Sequence, residues 1–373
     1  MRVGLDATPL LGQRSGVGRY VEGLLTGLRE LTEPERVTPV LTTFSLRGAT
    51  PTGPATQGAE HARRRLPARL LQPLWARTSL PPVEWLSGRV DAFHATNFVL
   101  PPTRRAGGVV SVHDLAFERY PETVAPGVLS YRDAVPRSVA RAERVICFTE
   151  AVAGEIRERY GVAADKVITI PHGVDPAWAR ASPLSPADLR AAGLPERFLL
   201  VVGNLEPRKN LPLLLAAHRR ARTADPDAVP PLVLAGAAGW GDRWAGHEPD
   251  SQHTVLAGYL DDALLRSVVA SAVAVCMPSR YEGFGLPVLE ALAAGRPVLA
   301  SDIDAHREVS GGLATLLKSD DADAVERWAA AIADLARGGD EPTQPARRQA
   351  HAAAFTWARS AQMHAQVYRD AAT

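Results

Sequence analysis

Cysteine is scarce in this chain: Cys147 and Cys276 are the only two in 373 residues. Each lies in an apolar run, which argues for reduced core thiols and against a disulfide framework or a thiolate metal pair. An excess of charge of either sign is also missing, with 42 lysines and arginines against 41 aspartates and glutamates. No global field therefore points to nucleic acid as a partner. Nor does any apolar run reach the roughly 20 residues that a membrane-crossing helix needs. The chain opens directly on a strand-like Arg-Val-Gly-Leu-Asp, and the expectation is a cytosolic protein without a signal peptide. What is plentiful is apolar content, 46% of a length that suits two hydrophobic cores better than one.

The most informative stretch is residues 279–297, Ser-Arg-Tyr-Glu-Gly-Phe-Gly-Leu-Pro-Val-Leu-Glu-Ala-Leu-Ala-Ala-Gly-Arg-Pro. Two glycines flank Phe284 in a loop, Pro287 follows, and Val288 to Ala294 read as a short apolar helix stopped by Gly295. Proline suits the first turn because its missing N–H is one of those without an intrahelical acceptor, and glycine just past the end suits a C-cap. The first turn then offers free amides and the positive end of a dipole to an anion. Glu282 and Glu290 bracket that anion site.

Earlier in the chain, residues 2–5 read as a buried strand. Gly12 to Tyr20 read as a glycine-rich loop entering a helix whose Val21, Leu24, Leu25 and Leu28 share a face. Gly16-Val-Gly18 is not a dinucleotide fingerprint, since that would need glycine at Val21. A loop approaching a substrate closely is preferred. Strands at Ala92–His94, Val109–Val112 and Val145–Phe148 each end in polar residues, and in open parallel sheets functional groups lie beyond the carboxyl ends of strands. His113 and Asp114 stand there, as do His94 and Asn97, and His94, Asn97 and Asp114 are the candidates for an acceptor side. His172 reads as a turn residue near a domain boundary.

Residues 61–77 combine arginines with Leu66, Leu70, Leu71, Leu74 and Trp75. They fit either a basic amphipathic helix resting on an anionic membrane surface or a helix packing its leucines on the first domain.

The second half repeats the scheme. Phe198–Val202 is a strand, Gly203-Asn-Leu-Glu-Pro-Arg-Lys-Asn follows, and an apolar helix starts at Leu211. Arg208 and Lys209 thus stand at a strand's carboxyl end, where two cations suit a diphosphate whose charge grows as it departs. Ser301-Asp-Ile-Asp304 imitates an Asp-x-Asp metal motif, but a loop and helix cap is the better account of both aspartates. No metal site is expected.

The 282–290 pattern, two glutamates with seven residues between, resembles the signature of retaining glycosyltransferases of family 4. Ser111-Val-His-Asp-Leu-Ala-Phe117 and Gly203–Asn210 are similar to further segments of that family. The resemblance implies an α/β protein of GT-B fold, two Rossmann-like doubly wound domains facing a central cleft. The domains expected are 1–175 on the acceptor side and 176–356 for the nucleotide sugar, with a last helix at about 357–373 packing back on the first.

Carried over by position, Glu282 and His113 take the catalytic roles at the transferred sugar, and Gly283 and Phe284 bind that sugar. Arg208, Lys209, Gly285 and Leu286 bind the diphosphate, and the loop with Gly16 and Gly18 closes over it. Glu290 holds the ribose, and Tyr259 and Leu260 lie near the base. Glu308 matches a family glutamate of structural role. One departure is Asn204, where many members carry arginine. The implied partners are a nucleotide sugar, with a lean to GDP-mannose, and a hydroxyl acceptor, with no cofactor and no metal. Two alternatives stay open: a nucleotide-sugar binder that has lost transferase activity, and a GT-B epimerase.

Overall fold

The computed structural model describes residues 1–12, 15–45, 51–75, 78–340 and 343–373, with backbone alone at 68, 69, 72 and 73. Gln13 and Arg14 of the expected glycine-rich loop, and Ala76 and Arg77 of the basic stretch, lie outside the described residues. The chain divides into two compact units, one of residues 1–118, 128–173 and 355–373, the other of 119–127 and 174–354. Residues 119–127, which the expected boundary at 175 assigned to the first domain, therefore group with the second.

The first unit is built on a parallel sheet. In chain order its strands are β1 (Arg2–Asp6), β2 (Thr38–Thr42), β3 (Glu60–His61), β4 (Ala92–Ala95), β5 (Gly107–Ser111), β6 (Arg144–Cys147) and β7 (Val167–Thr169). Their order across the sheet is β3-β2-β1-β4-β5-β6-β7. Parallel strands buried on both faces read as continuous apolar runs, and Val109, Val110, Val145 and Ile146 are fully buried.

The helix Gly16–Glu30 starts one residue past Ser15, whose hydroxyl caps the Gly18 amide at 3.3 Å. Gly16 and Gly18 are thus the first turn of a helix and not part of a loop. A Cβ at Gly18 would fall 2.9 Å from the Pro9 carbonyl oxygen, so this glycine permits a close backbone approach.

The C-terminal helix Trp357–Ala372 belongs to the first unit. It lies on the 16–30 helix across Gly23 and Gly27, where added Cβ atoms would come within 2.1 Å of the Trp357 ring and 2.3 Å of its carbonyl oxygen. Beneath it runs a sealed polar network. Tyr20 Oη meets Ser111 Oγ at 3.0 Å and His364 Nε2 at 2.8 Å, while His94 bonds Tyr368 Oη and Ser111 Oγ, each at 2.8 Å. His172 is also buried here, stacked on Phe148 at 3.9 Å between ring centres.

The second unit has strands β8 (Leu199–Val202), β9 (Leu232–Ala235), β10 (Thr254–Gly258), β11 (Ala274–Met277), β12 (Val298–Ser301) and β13 (Thr315–Leu317). They run parallel in the order β10-β9-β8-β11-β12-β13. The chain winds outward from β8 in one direction and resumes at β11 on its other side. The β8/β11 boundary is therefore the topological switch point, where a crevice opens beyond the strand ends. Leu211, Leu214, Trp328 and Ile332 cover one face of this sheet. Both cysteines are buried thiols outside any disulfide, and burial pushes the Cys276 thiol up to about 12.

Candidate functional site

The switch point of the second unit gathers the charged residues singled out in the sequence. After β8 the chain makes a short 3-10 turn, Pro207–Lys209, and leaves it through Asn210 in the left-handed region at φ 53°. After β11, Ser279 to Phe284 turn back toward it, and the Arg280 amide bonds the Arg208 carbonyl at 2.9 Å. The two loops are thereby stitched together.

Glu282 lies where they meet. Lys209 Nζ donates to its Oε1 at 2.7 Å, Ser279 Oγ to the same oxygen at 2.7 Å, and Arg208 Nη1 to Oε2 at 2.9 Å. The Arg208 Nη1 also reaches the Tyr281 carbonyl at 2.6 Å, and its Nη2 reaches Glu206 at 2.6 Å. Burial alone would raise the Glu282 carboxyl, but Lys209 and Arg208 hold it well below the usual carboxylate range. It is ionised throughout the physiological range.

Directly after it comes the helix Leu286–Ala293, with Gly285 as N-cap at φ 98° and proline in the first turn. It begins two residues before the expected Val288. Val288 and Leu289 both donate to the Gly285 carbonyl, and at the far end the Arg296 and Gly295 amides bond the carbonyls of Ala291 and Leu292. That pair is the Schellman closure expected of Gly295. Glu290 is buried on this helix, Phe284 and Gly283 are buried before it, and Leu286 is half-buried. Tyr259 and Leu260 follow the end of β10, with Tyr259 exposed. Asn204 is exposed beyond β8.

Two residues here escaped the sequence reading. His306 is fully buried, and its Nδ1 donates to the Ser301 carbonyl at 2.8 Å. Tyr281 stacks loosely on Tyr120 at 5.7 Å between ring centres, with the Arg119 guanidinium 5.8 Å from its ring. His306 had no local pattern to announce it, because only the tertiary fold carries it to this helix start. The motif-like Asp302 and Asp304 both bond Arg307, at 2.6 and 2.7 Å, and Ile303 rather than either aspartate occupies the N-cap of the following helix. They are partners of an arginine and cap nothing.

In the first unit the candidates separate. His94 was expected to line an acceptor, yet no solvent reaches it and both ring nitrogens are engaged within the network under the C-terminal helix. Its role is structural. His113 is half-buried beyond β5, and its Nε2 donates to the Thr96 carbonyl at 2.8 Å. Burial lowers its pKa, against the pull of that carbonyl and of Asp114, so the ring is neutral near pH 7. Asn97 bonds Tyr131, and Asp114 accepts from the Ala116 amide at 2.9 Å. Asp6, at the end of β1 beside the switch point of this sheet, was not foreseen. Burial pushes its carboxyl up to about 6, against the hydrogen bonds from Thr8.

Two parallel Rossmann-like sheets, with cations and a glutamate at the switch point of the second, define a GT-B glycosyltransferase. The description "Glycosyltransferase Family 4" matches residues 14–178, and "Glycosyl transferases group 1" matches residues 196–337. The chain is 30% identical over 309 residues to a D-inositol 3-phosphate glycosyltransferase of Kribbella flavida, covering 77% of this chain and 70% of that one. It is 29% identical over 275 residues to the O-antigen chain mannosyltransferase B of Escherichia coli, covering 71% and 70%. Among solved structures, sucrose-phosphate synthase from Thermosynechococcus elongatus shares the fold with a TM-score of 0.69 at 20% identity, over 99% of this chain and 98% of that one. Anabaena HepE in complex with UDP and glucose does so at 0.68 and 20%, over 98% of each. The chain belongs to glycosyltransferase family 4 and is a glycosyltransferase.

Proposed function

We propose that this enzyme transfers a hexose or deoxyhexose from a nucleoside-diphosphate sugar to an acceptor hydroxyl, with retention at the anomeric carbon and without a metal. The observation that carries the reading is the convergence of Arg208 and Lys209 on Glu282 beside the start of the 286–293 helix. A departing diphosphate accumulates negative charge, and preorganised cations with a helix N-terminus stabilise it without reorganising. Glu282, kept ionised, accepts hydrogen bonds from the hydroxyls of the transferred sugar. Gly283 and Phe284 border that sugar, Gly285 and Leu286 the diphosphate, Glu290 the ribose, and Tyr259 and Leu260 the base.

Retention follows from a front-face displacement in which the leaving phosphate accepts the proton of the attacking hydroxyl. Trapping a glycosyl ester on a carboxylate of this chain would argue against that route. GDP-mannose is the favoured donor, in line with the Escherichia coli relative, an O-antigen chain mannosyltransferase. UDP, held by Anabaena HepE, is the competing nucleotide.

A thermal-shift panel of GDP, UDP, dTDP and ADP, each with and without EDTA, tests the reading, since a ligand of the native state raises its stability by mass action. One nucleotide giving a selective shift that EDTA leaves unchanged supports it. A shift abolished by EDTA sinks metal independence, and glycoside formation in the matching transfer assay excludes the binder and epimerase alternatives.

A cytoplasmic enzyme with a peripheral lipid contact is the second part of the reading. No helix among the described residues is long and apolar enough to cross a membrane. In the helix Ala68–Trp75, Leu71 and Trp75 are buried while Leu70 and Leu74 are 58% and 50% exposed, with Leu66 and Leu80 also exposed nearby. Packing on the first unit therefore accounts for only one side of this helix. Co-sedimentation with phosphatidylglycerol vesicles but not phosphatidylcholine vesicles, lost in Leu70→Ser/Leu74→Ser, is the expected result.

A further inference from the structure

The imidazole of His306 is sealed beneath the start of the 286–293 helix. A Cβ at Gly285 would lie 3.2 Å from its Cδ2 and 3.7 Å from its Nε2, so the ring packs directly under the helix N-cap. Because the Ser301 carbonyl can only accept, Nδ1 carries a proton and the neutral ring presents Nε2 as a bare lone pair. That atom has no hydrogen-bond partner among the described residues, although no solvent reaches it. An unpaired acceptor sealed under a helix N-terminus is costly unless the working state of the site gives it something to do.

The charge balance supplies that use. Glu206 and Glu282 are matched by Arg208 and Lys209, two carboxylates against two cations, all buried or nearly so. The cluster is neutral before any ligand arrives. A diphosphate adds at least two negative charges and draws the same two cations toward itself. Glu282 is then a buried carboxylate with weakened partners, an unfavourable state. The titratable group that can answer is His306, and a proton on Nε2 adds a cation where both the phosphates and Glu282 need one.

We infer that binding of a nucleoside-diphosphate sugar is coupled to uptake of one proton by His306, whose imidazolium completes the positive lining of the site. The inference rests on the reading of this site as a diphosphate site. In the step an N–H bond forms at Nε2, the proton comes from solvent, and no other bond changes. The groups bearing on the ring are Glu282, which favours the proton, and Lys209, Arg208 and the positive end of the 286–293 helix, which oppose it until a bound diphosphate offsets their charge. Glu290 is buried on the neighbouring helix, and Asp304, Arg307 and Glu308 of the ring's own helix are exposed. In the unliganded protein burial keeps the ring neutral.

The test is titration calorimetry of the intact chain with GDP-mannose and UDP-glucose, whose diphosphates have no proton to gain or lose near neutrality. Each is run at one pH in two buffers of different ionisation enthalpy. The expected result is an uptake of about one proton per ligand bound and an affinity that rises as pH falls, by up to about tenfold per unit. In His306→Gln, which keeps a polar side chain of similar reach, the uptake disappears and the affinity becomes flat with pH. Binding to the unaltered protein with no buffer dependence overturns the inference while leaving the diphosphate reading in place. The same uptake in His306→Gln also overturns it. Failure of both sugars and of GDP, UDP, dTDP and ADP to bind overturns the diphosphate reading itself, and this inference with it.

Discussion

Lys209 Nζ and Glu282 Oε1 stand 2.7 Å apart, each side chain only 9% exposed. The pair joins the carboxyl ends of β8 and β11, so one contact spans the switch point of the second sheet. Removing one member of such a pair leaves a charge buried without its partner. Lys209→Ala is expected to lose about 3 kcal/mol of stability, read by urea unfolding, together with donor affinity and turnover. An unchanged midpoint and unchanged rates would show that the pair has no such role.

Glu282→Ala addresses chemistry more directly. If the carboxylate bears on the reacting sugar, kcat/KM should fall by about 10² to 10³-fold, or roughly 3–4 kcal/mol of transition-state stabilisation. Product analysis of a folded variant that keeps its rate would move the role elsewhere.

Asp6 carries a pH signature. Its folded-state pKa of about 6 lies above the ordinary 3.8, because burial disfavours the carboxylate. The native state therefore binds the proton more tightly, and stability is lost as pH rises from about 4 through 6. Asp6→Asn should be more stable than the parent at pH 8 by about 3 kcal/mol, with the gain vanishing below about pH 4. Equal pH dependence in the two proteins would contradict the assignment.

His364 has the opposite sign. Burial lowers its pKa to about 4, so the unfolded chain takes up a proton that the folded chain refuses. Stability contributed by the neutral ring is complete above about 6.5 and is lost as pH falls toward 4, on the order of 3 kcal/mol in total. His364→Gln should flatten that part of the acid limb in a stability–pH profile.

Gly23 tests the seam between the first and last helices. A methyl there would enter the Trp357 ring, and Gly23→Ala should destabilise the first unit by about 2 kcal/mol or more despite alanine's better helix propensity. A raised melting temperature would mean that the helices do not pack this closely.

The sequence was most legible where function is written locally. Glu282, Gly285, Pro287 and Gly295 follow one another within a turn or two, and Arg208 and Lys209 sit at a strand end that hydrophobicity marks, so their placement needed only short-range rules. His306 and Asp6 were illegible because their environment is tertiary: a histidine inside a short helix, and an aspartate ending a strand, look ordinary until the sheet brings other elements over them. His94 was misplaced for the same reason. A strand-end histidine points toward a crevice by rule, but here the C-terminal helix occupies that space with Tyr368. Gly16 and Gly18 misled through composition, since glycine usually marks a loop and these two serve close packing and a helix start. The split of leucines between Leu71 and Leu74 depends on which side of one helix is buried, which periodicity alone does not say.

The assignment of residues 355–373 to the first unit bears on how the protein is made. Synthesis runs from the amino terminus, so all the strands of the first sheet leave the ribosome early, yet the helix that bonds Tyr20 and His94 is translated only after the whole of the second unit. The second unit, continuous from 174 to 354 apart from one small segment already made, has its full complement of residues sooner. The unit begun first is thus completed second, and during that interval its Ser111, Tyr20 and His94 wait for partners still being translated. A chain released only as far as residue 354 would hold every residue of the second unit but not of the first, so docking of the 357–372 helix is the step that completes the first unit.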